Sequence, residues 1–477
     1  MLDNITLFLI INIINGAGYS LINPLLPILG KKENLSESAL GWMIGIFPIS
    51  SCIITTMVPY LGKKFSRVKL LSVGTFLASI TTILYGFLIF ISNKTLLIVI
   101  IFILRIFHGF CSTIVAVLIN SLTIAIAKKG NTQSSLGKAE IALSIGVSAG
   151  PVICSIFYKI GGYPLPFFVT GVFSFLSVCL TFQVNAKKIK KNKEEEKDDN
   201  TNYNYLKYLI YPEVYSILIG FVVCMVSVTF YTPCITYHLI NYYSISVSIS
   251  SLFFIIPIIP YVVISQFLDW ISAKFGIYLT FILGFIISGI SSLFIHPVPP
   301  LPQSPIFIVI GFILLGIGSV PVFIPGLVML SENIKKIDES IDEMNANDIA
   351  SAINNLFVES GNFLGPIIGG YLADNFGFKL CCIIISSVVI TCSAIFTFFF
   401  YGKIKNDFCT HCLNKKSEND ENINEQELEE ENNDDYFKKI KANILMNKNT
   451  GRLSTSSYNK ERKNDNKERN SLYSSLI

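Results

Sequence analysis

The sequence predicts an all-α membrane protein of twelve transmembrane helices in two pseudo-symmetric six-helix bundles. Three observations predict it: a core almost free of charge, twelve apolar runs of spanning length, and an internal repeat. The chain has 477 residues, of which 51% are hydrophobic and 15% charged, with a mean hydropathy of +0.56. The charges are unevenly placed. Residues 403–477 carry 28 of the 70 Lys, Arg, Asp and Glu, and 187–207 carry 12 more, leaving 30 for about 380 residues. Soluble domains are about one quarter charged, so this part cannot coat itself in water.

A hydrocarbon core of about 30 Å takes roughly 20 apolar residues per helix. Twelve windows meet this, at about 5–29, 39–61, 68–91, 95–127, 135–160, 164–186, 211–240, 247–271, 276–296, 305–330, 348–373 and 378–402. Lipid leaves backbone groups no outside partner, so runs of this length are helices. The first has no basic leader and no small-residue cleavage site after it, and reads as a retained span. Most joints are short, as at Ser92-Asn93-Lys94. The Pro-rich joint at His296–Pro300 is expected to be stiff. The longer ones divide the chain into a bundle at 1–186, a charged linker at 187–210, a second bundle at 211–402 and a tail at 403–477. The linker and tail hold too few apolar residues to fold alone.

Lysine and arginine set the orientation. With the N-terminus cytosolic, 17 fall on cytosolic loops, among them Lys63, Lys64, Arg67, Lys128, Lys129 and seven in 187–207. Five fall outside: Lys31, Lys32, Lys94, Lys159 and Lys379. Both termini are then cytosolic, in a multi-pass protein of the plasma membrane or of an organelle.

The halves repeat. Pro24 matches Pro233 and Pro48 matches Pro257, each 209 residues on; Leu61–Ser66 matches Ile271–Gly276 at 210; Gly109 matches Gly316 at 207. Gly146-x3-Gly150-Pro151 matches Gly361-x3-Gly365-Pro366 at 215. Duplicated six-helix halves around a midplane site are the plan of many secondary transporters, in which one half rocks against the other.

The chain resembles the major facilitator superfamily over residues 5–402, and within it the drug:proton antiporter and vesicular amine transporter branch. Gly137-x8-Gly146-x3-Gly150-Pro151 follows the antiporter signature of the fifth helix, with Cys154-Ser155 in place of its closing glycine pair. Asn355–Gly370 repeats the pattern in the eleventh helix with Gly369-Gly370 intact. Arg105-Ile106-Phe107-His108-Gly109 resembles the branch's Arg-x-x-Gln-Gly motif, with His for Gln. In the loop after the second helix Lys63 and Ser66 stand where the family carries Asp and Gly. Asn15 and Asn355 occupy positions where vesicular amine transporters carry acids, which weighs against a cationic monoamine as substrate.

Helical spacing groups the polar residues. Asn12, Asn15, Gly16, Tyr19 and Asn23 form one stripe of the first helix. Asn355, Glu359 and Asn362 lie on one face of the eleventh, and Arg105, His108, Gly109 and Ser112 cluster in the fourth. Charges at the bilayer centre cost about 2.5–3.5 kcal/mol, so they persist where they serve a cavity or a partner. The expected substrate and proton contacts are Asn15, Tyr19, Arg105, His108, Tyr231, Asn355, Glu359 and Asn362, with Glu359 as proton or cation acceptor and Arg105 as anion contact. For each, a purely structural interhelical role is the competing reading. Gly146, Gly150, Pro151, Gly361, Gly365 and Pro366 offer close, bendable contacts between the halves, suited to gating or to static packing.

The net charge of +4 is dispersed and suggests no nucleic-acid partner. Eleven Cys are scattered without a disulfide or zinc spacing. Cys409-Thr410-His411-Cys412 is a weak C-x-x-C motif beside the membrane, where palmitoylation is conceivable. There is no P-loop and no catalytic constellation, so neither a cofactor nor an enzymatic activity is expected. The sequence points to a secondary active transporter exchanging a small organic solute for protons, working as a monomer in the lipid bilayer. Two alternatives stay open: an uncoupled facilitator of an organic anion drawn to Arg105, and a non-transporting receptor or scaffold acting through the tail.

Overall fold

The computed structural model describes residues 3–126, 132–184, 205–299, 301–341, 343–405 and 438. Lys128, Lys129, the linker as far as residue 204, most of the tail and the Cys409–Cys412 motif lie outside the described residues. Met1–Asp407 form one compact unit and Phe408–Ile477 a second. The first is a helical bundle.

Its first half contains six helices: α1 (Asn4–Lys32), α2 (Glu37–Lys64), α3 (Arg67–Phe87), α4 (Lys94–Ile126), α5 (Thr132–Gly161) and α6 (Pro164–Phe182). Local chemistry sets their ends. Lys31 and Lys32 occupy the last turn of α1, where cations complement the helix dipole. Ser36 caps α2 by accepting from the Ala39 amide at 3.1 Å, and Pro164 starts α6 where a missing N–H costs nothing.

The second half contains α7 (Pro212–Thr229), α8 (Ile235–Tyr243), α9 (Val247–Leu252), α10 (Ile258–Ser265), α11 (Leu268–Phe275), α12 (Ile277–Ile295), α13 (Pro305–Ile337) and α14 (Glu343–Phe399). Ten helices among the described residues are long and apolar enough to cross a membrane, against the twelve windows read from the sequence. Two features account for the difference. The window 247–271 breaks into α9, α10 and α11, and the last two windows run on as α14, interrupted only at Gly377, whose φ of 78° is non-helical.

The break after α9 follows from Pro257. Approaching it, the backbone tightens to bonds three residues apart, Phe254 N to Ser251 O, Ile255 N to Leu252 O and Ile256 N to Phe253 O. Pro257 has no N–H to offer the Phe253 carbonyl, and the tightened turn supplies that carbonyl from Ile256 instead.

Equivalent landmarks make equivalent contacts. α5 packs on α1, and the part of α14 before Gly377 packs on α7. A Cβ on Gly146 would stand 2.1 Å from the Ile13 carbonyl oxygen, and one on Gly369 would stand 1.8 Å from that of Phe230. Gly150 faces Ala17 and Ser20, Gly361 faces Val222 and Met225, and Gly365 faces Val226 and Thr229. Gly109 of α4 abuts Phe47 and Ser50 of α2, and Gly316 of α13 abuts Pro257. These glycines therefore join helices within a half. The sequence reading set these residues between the halves; Gly146, Gly150, Gly361 and Gly365 instead meet helices of their own half, while the Pro366 carbonyl meets Gly41, and further along the motif Phe363 and Gly370 also reach across. Within a helix pair, glycine lets backbones touch directly, the device that replaces hydrophobic drive in lipid.

Candidate functional site

The halves meet where α2 packs on α14, where α5 packs on α9, and where α1 meets α8 and α9. Two regions bear on function, a polar cleft at mid-height and a closed end where α1 turns into α2.

The cleft is bordered by α1, α2, α4 and α14. Glu359 and Asn362 on α14 are half-buried, hydrogen-bond to each other, and share a face with the exposed Asn355. Across the cleft, Tyr19 of α1 is half-buried and lies within electrostatic reach of both Glu359 and Arg105. Cys52 of α2 also lies within reach of Glu359. The Tyr19 ring packs on Phe47, with centroids 4.8 Å apart.

Asn15, His108 and Tyr231 are each engaged by neighbouring helices, as is Asn12 on the same stripe as Asn15. The Asn12 amide donates to the Ala139 carbonyl at 2.8 Å, tying α1 to α5. Asn15 donates to the Ser112 carbonyl at 3.1 Å, and the Ser112 hydroxyl donates back to Asn15 Oδ1 at 2.9 Å, tying α1 to α4. Interhelical hydrogen bonds of this kind average about 0.6 kcal/mol. His108 is fully buried between the rings of Phe47 and Tyr85, at centroid distances of 5.5 and 5.6 Å. Tyr231 packs edge-on against Phe312 at 4.7 Å and touches Phe230 and Phe254, within the core of the second half. It is not brought to the cleft with Glu359.

Arg105 is 1% exposed. Its Nε donates to the Met43 carbonyl at 3.0 Å and its Nη2 to the Ile44 carbonyl at 2.8 Å, with the guanidinium 5.0 Å from the Phe47 ring centroid. The Ile44 carbonyl would ordinarily accept from the amide four residues on, which is Pro48 and has none. Arg105 fills that gap. α2 runs unbroken through Pro48, whereas the chain at the matching Pro257 breaks. At the offset that relates Gly109 to Gly316, the counterpart of Arg105 is Phe312, whose ring packs 6.2 Å from that of Phe253. An aromatic ring there offers Phe253 no donor.

At the closed end, α2 and α14 meet backbone to backbone. Cβ atoms on Gly41, Gly45 and Gly370 would stand 2.3, 2.8 and 2.3 Å from the carbonyl oxygens of Pro366, Phe363 and Glu37. Asp374 accepts from the Glu37 amide at 2.8 Å and the Ser38 amide at 2.7 Å, so a carboxylate of one half caps a helix of the other. Glu37 hydrogen-bonds Cys234. Lys31 donates to Asn241 Oδ1 and lies over the Tyr237 ring, and Trp42 meets Phe363 edge-on at 6.0 Å. Sequence reasoning missed this end. The one signal available was Gly41-x3-Gly45, a small-residue face at the start of the second apolar window.

Among the described residues no cluster of three or more His, Cys, Asp or Glu is arranged to hold a metal ion, and nine cysteines are free.

The Major Facilitator Superfamily profile matches residues 8–337 and again 217–407. The MFS-type transporter SLC18B1 of Mus musculus is 24% identical over 377 residues, covering 76% of this chain and 78% of that protein. Multidrug resistance protein 1 of Bacillus subtilis is 22% identical over 381 residues, covering 78% and 90%. The crystal structure of the nucleoside transporter NupG superposes with a TM-score of 0.69 at 12% identity, over 84% of this chain and 99% of that one.

Proposed function

Because the chain belongs to the Major Facilitator Superfamily, a family of membrane transporters, we propose that it carries a small organic solute by alternating access, in exchange for protons bound at Glu359. The observation that carries this reading is the position of Glu359: an ionisable side chain midway along the part of α14 before Gly377, half-buried, within electrostatic reach of Tyr19 of the other half. A carboxylate in a membrane interior demands a partner. It takes either a proton or a polar group of the solute, and each excludes the other. That exclusion is the linkage an exchanger needs. Relatives named multidrug resistance protein and multi-drug resistance efflux pump support a small organic solute as cargo.

With both termini cytosolic, the closed α1–α2 end faces away from the cytosol and the cleft opens toward it. Asn355 and Asn362 border the solute's path beside Glu359. Arg105 acts behind this surface, holding α2 in shape. Its Nε and Nη2 are spent on α2 carbonyls. In proteoliposomes, uptake should respond to an imposed proton gradient, and Glu359→Gln should abolish the pH dependence while the protein still inserts normally. Retained pH dependence in that variant would reject the role of Glu359. A solute distribution indifferent to collapse of the gradient would favour the facilitator.

A further inference from the structure

We infer that Asp374 is the latch of the closed end, a carboxylate that holds the transporter shut on that side by capping α2 from the opposite half. The inference rests on the alternating-access reading and adds to it a residue and a contact.

The first four amides of a helix have no partners within it. In α2 the Leu40 amide opens the helical ladder on the Ser36 carbonyl at 3.1 Å, and the three amides before it find other acceptors: Ala39 donates to Ser36 Oγ at 3.1 Å, and Glu37 and Ser38 to the two oxygens of Asp374. Two of these three have that partner only while the halves are together at this end. The carboxylate also meets the positive end of the α2 dipole. When the halves part, both amides and the charge lose their partner in one step.

Neighbouring contacts make this cap a latch and not an isolated bond. The Ser38 hydroxyl donates to the Gly370 carbonyl at 3.5 Å. Below it, Gly370 on Glu37, Gly41 on Pro366 and Gly45 on Phe363 form a seam of close backbone contacts about one helical turn apart, with the Ile367 side chain against Gly45 and Trp42 against Phe363. The directional bonds at its rim add to what holds it shut. Asp374 itself is exposed at that rim. The same two helices lead to the cleft. Asp374 and Glu359 stand on α14 fifteen residues apart, about 22 Å at the helical rise. α2 carries the amides of the latch, then the Met43 and Ile44 carbonyls gripped by Arg105. Arg105 fixes α2 to its own half, so motion between the halves is taken up along the seam.

Cys234 reports the state of this seam. It is fully buried, in contact with Glu37 from the other half. Cys224 is equally buried but lies wholly within the core of the second half. The full-length protein in nanodiscs is treated with a maleimide, and modification of each cysteine is read by peptide mass spectrometry. Asp374→Ala should speed labelling of Cys234 by about fivefold, the typical effect of losing a helix cap, with Cys224 unchanged. Asp374→Asn, which keeps one acceptor oxygen, should fall between. Gly370→Ala, which drives a methyl into the Glu37 carbonyl, should open the same seam independently. Equal Cys234 labelling in Asp374→Ala and the unaltered protein overturns the latch, whatever the transport assays show. Acceleration of Cys224 along with Cys234 overturns it as well, by showing general unfolding. Loss of the pH dependence of flux in Glu359→Gln bears on the transport reading alone.

Discussion

Arg105→Met offers the sharpest test of how the first half is held together. The change removes the guanidinium and leaves a side chain of similar reach that donates nothing. The Met43 carbonyl keeps an ordinary helical donor in Phe47. The Ile44 carbonyl does not, because Pro48 stands where its donor belongs. A buried carbonyl left without a partner costs about 1–3 kcal/mol, and by the scaling for domains of 150–250 residues this corresponds to a fall in Tm of roughly 2–10 °C. The diagnostic variant is Pro48→Ala, which restores an N–H to residue 48. In an Arg105→Met background it should recover most of the lost stability, giving a coupling of about 1–3 kcal/mol in the double-mutant cycle. Thermal unfolding followed with a thiol-reactive fluorogenic dye suits the protein, since the buried Cys154, Cys224, Cys381 and Cys382 add their signal on unfolding to that of the exposed Cys179. Strictly additive effects of the two substitutions would refute the idea that Arg105 serves the carbonyl orphaned by Pro48. Flux regained along with stability would also speak against a solute-binding role for Arg105, because an alanine at 48 supplies no cation.

Two further outcomes follow from the packing. Gly369→Ala should prevent a monodisperse protein in size-exclusion chromatography, since its Cβ would lie 1.8 Å from a main-chain oxygen, whereas Gly361→Ala meets the Met225 side chain at 2.6 Å and should be the milder of the two. Asn15→Ala breaks the reciprocal bond with Ser112 and should lower stability by about 1 kcal/mol or less; a selective loss of solute binding at unchanged stability would instead give Asn15 a place in the cleft.

The long apolar windows and the paired landmarks made the helical bundle and its two halves legible, because prolines and glycines act locally: Pro48 and Pro257 remove a donor wherever they stand, and Gly146 and Gly361 admit a close neighbour. What lay beyond reach was the identity of that neighbour. The sequence reading set Gly146 and Gly361 in contacts between the halves, and only the fold assigns Ile13 and Met225, each of the same half, to them. The break at Pro257 is a similar case. Its sequence context parallels that of Pro48, and the outcome turns on Arg105 in one neighbouring helix and Phe312 in the other. Helical spacing put Asn12, Asn15 and Tyr19 of α1 on one stripe, yet Asn12 and Asn15 spend their amides on α5 and α4, leaving Tyr19 toward the cleft. Asp374 gave no signal at all. A carboxylate that caps a helix 336 or 337 positions away leaves no spacing to detect.

The unequal fate of the two matched prolines has a mechanical consequence. α2, stapled by a guanidinium, is a stiff strut that passes a push from one membrane face to the other with little bending. Its duplicate, α9 to α11, is a jointed rod whose short pieces can pivot separately. Load shared between two such members is not shared equally. Bending along this path is therefore cheapest at the joints of the later copy.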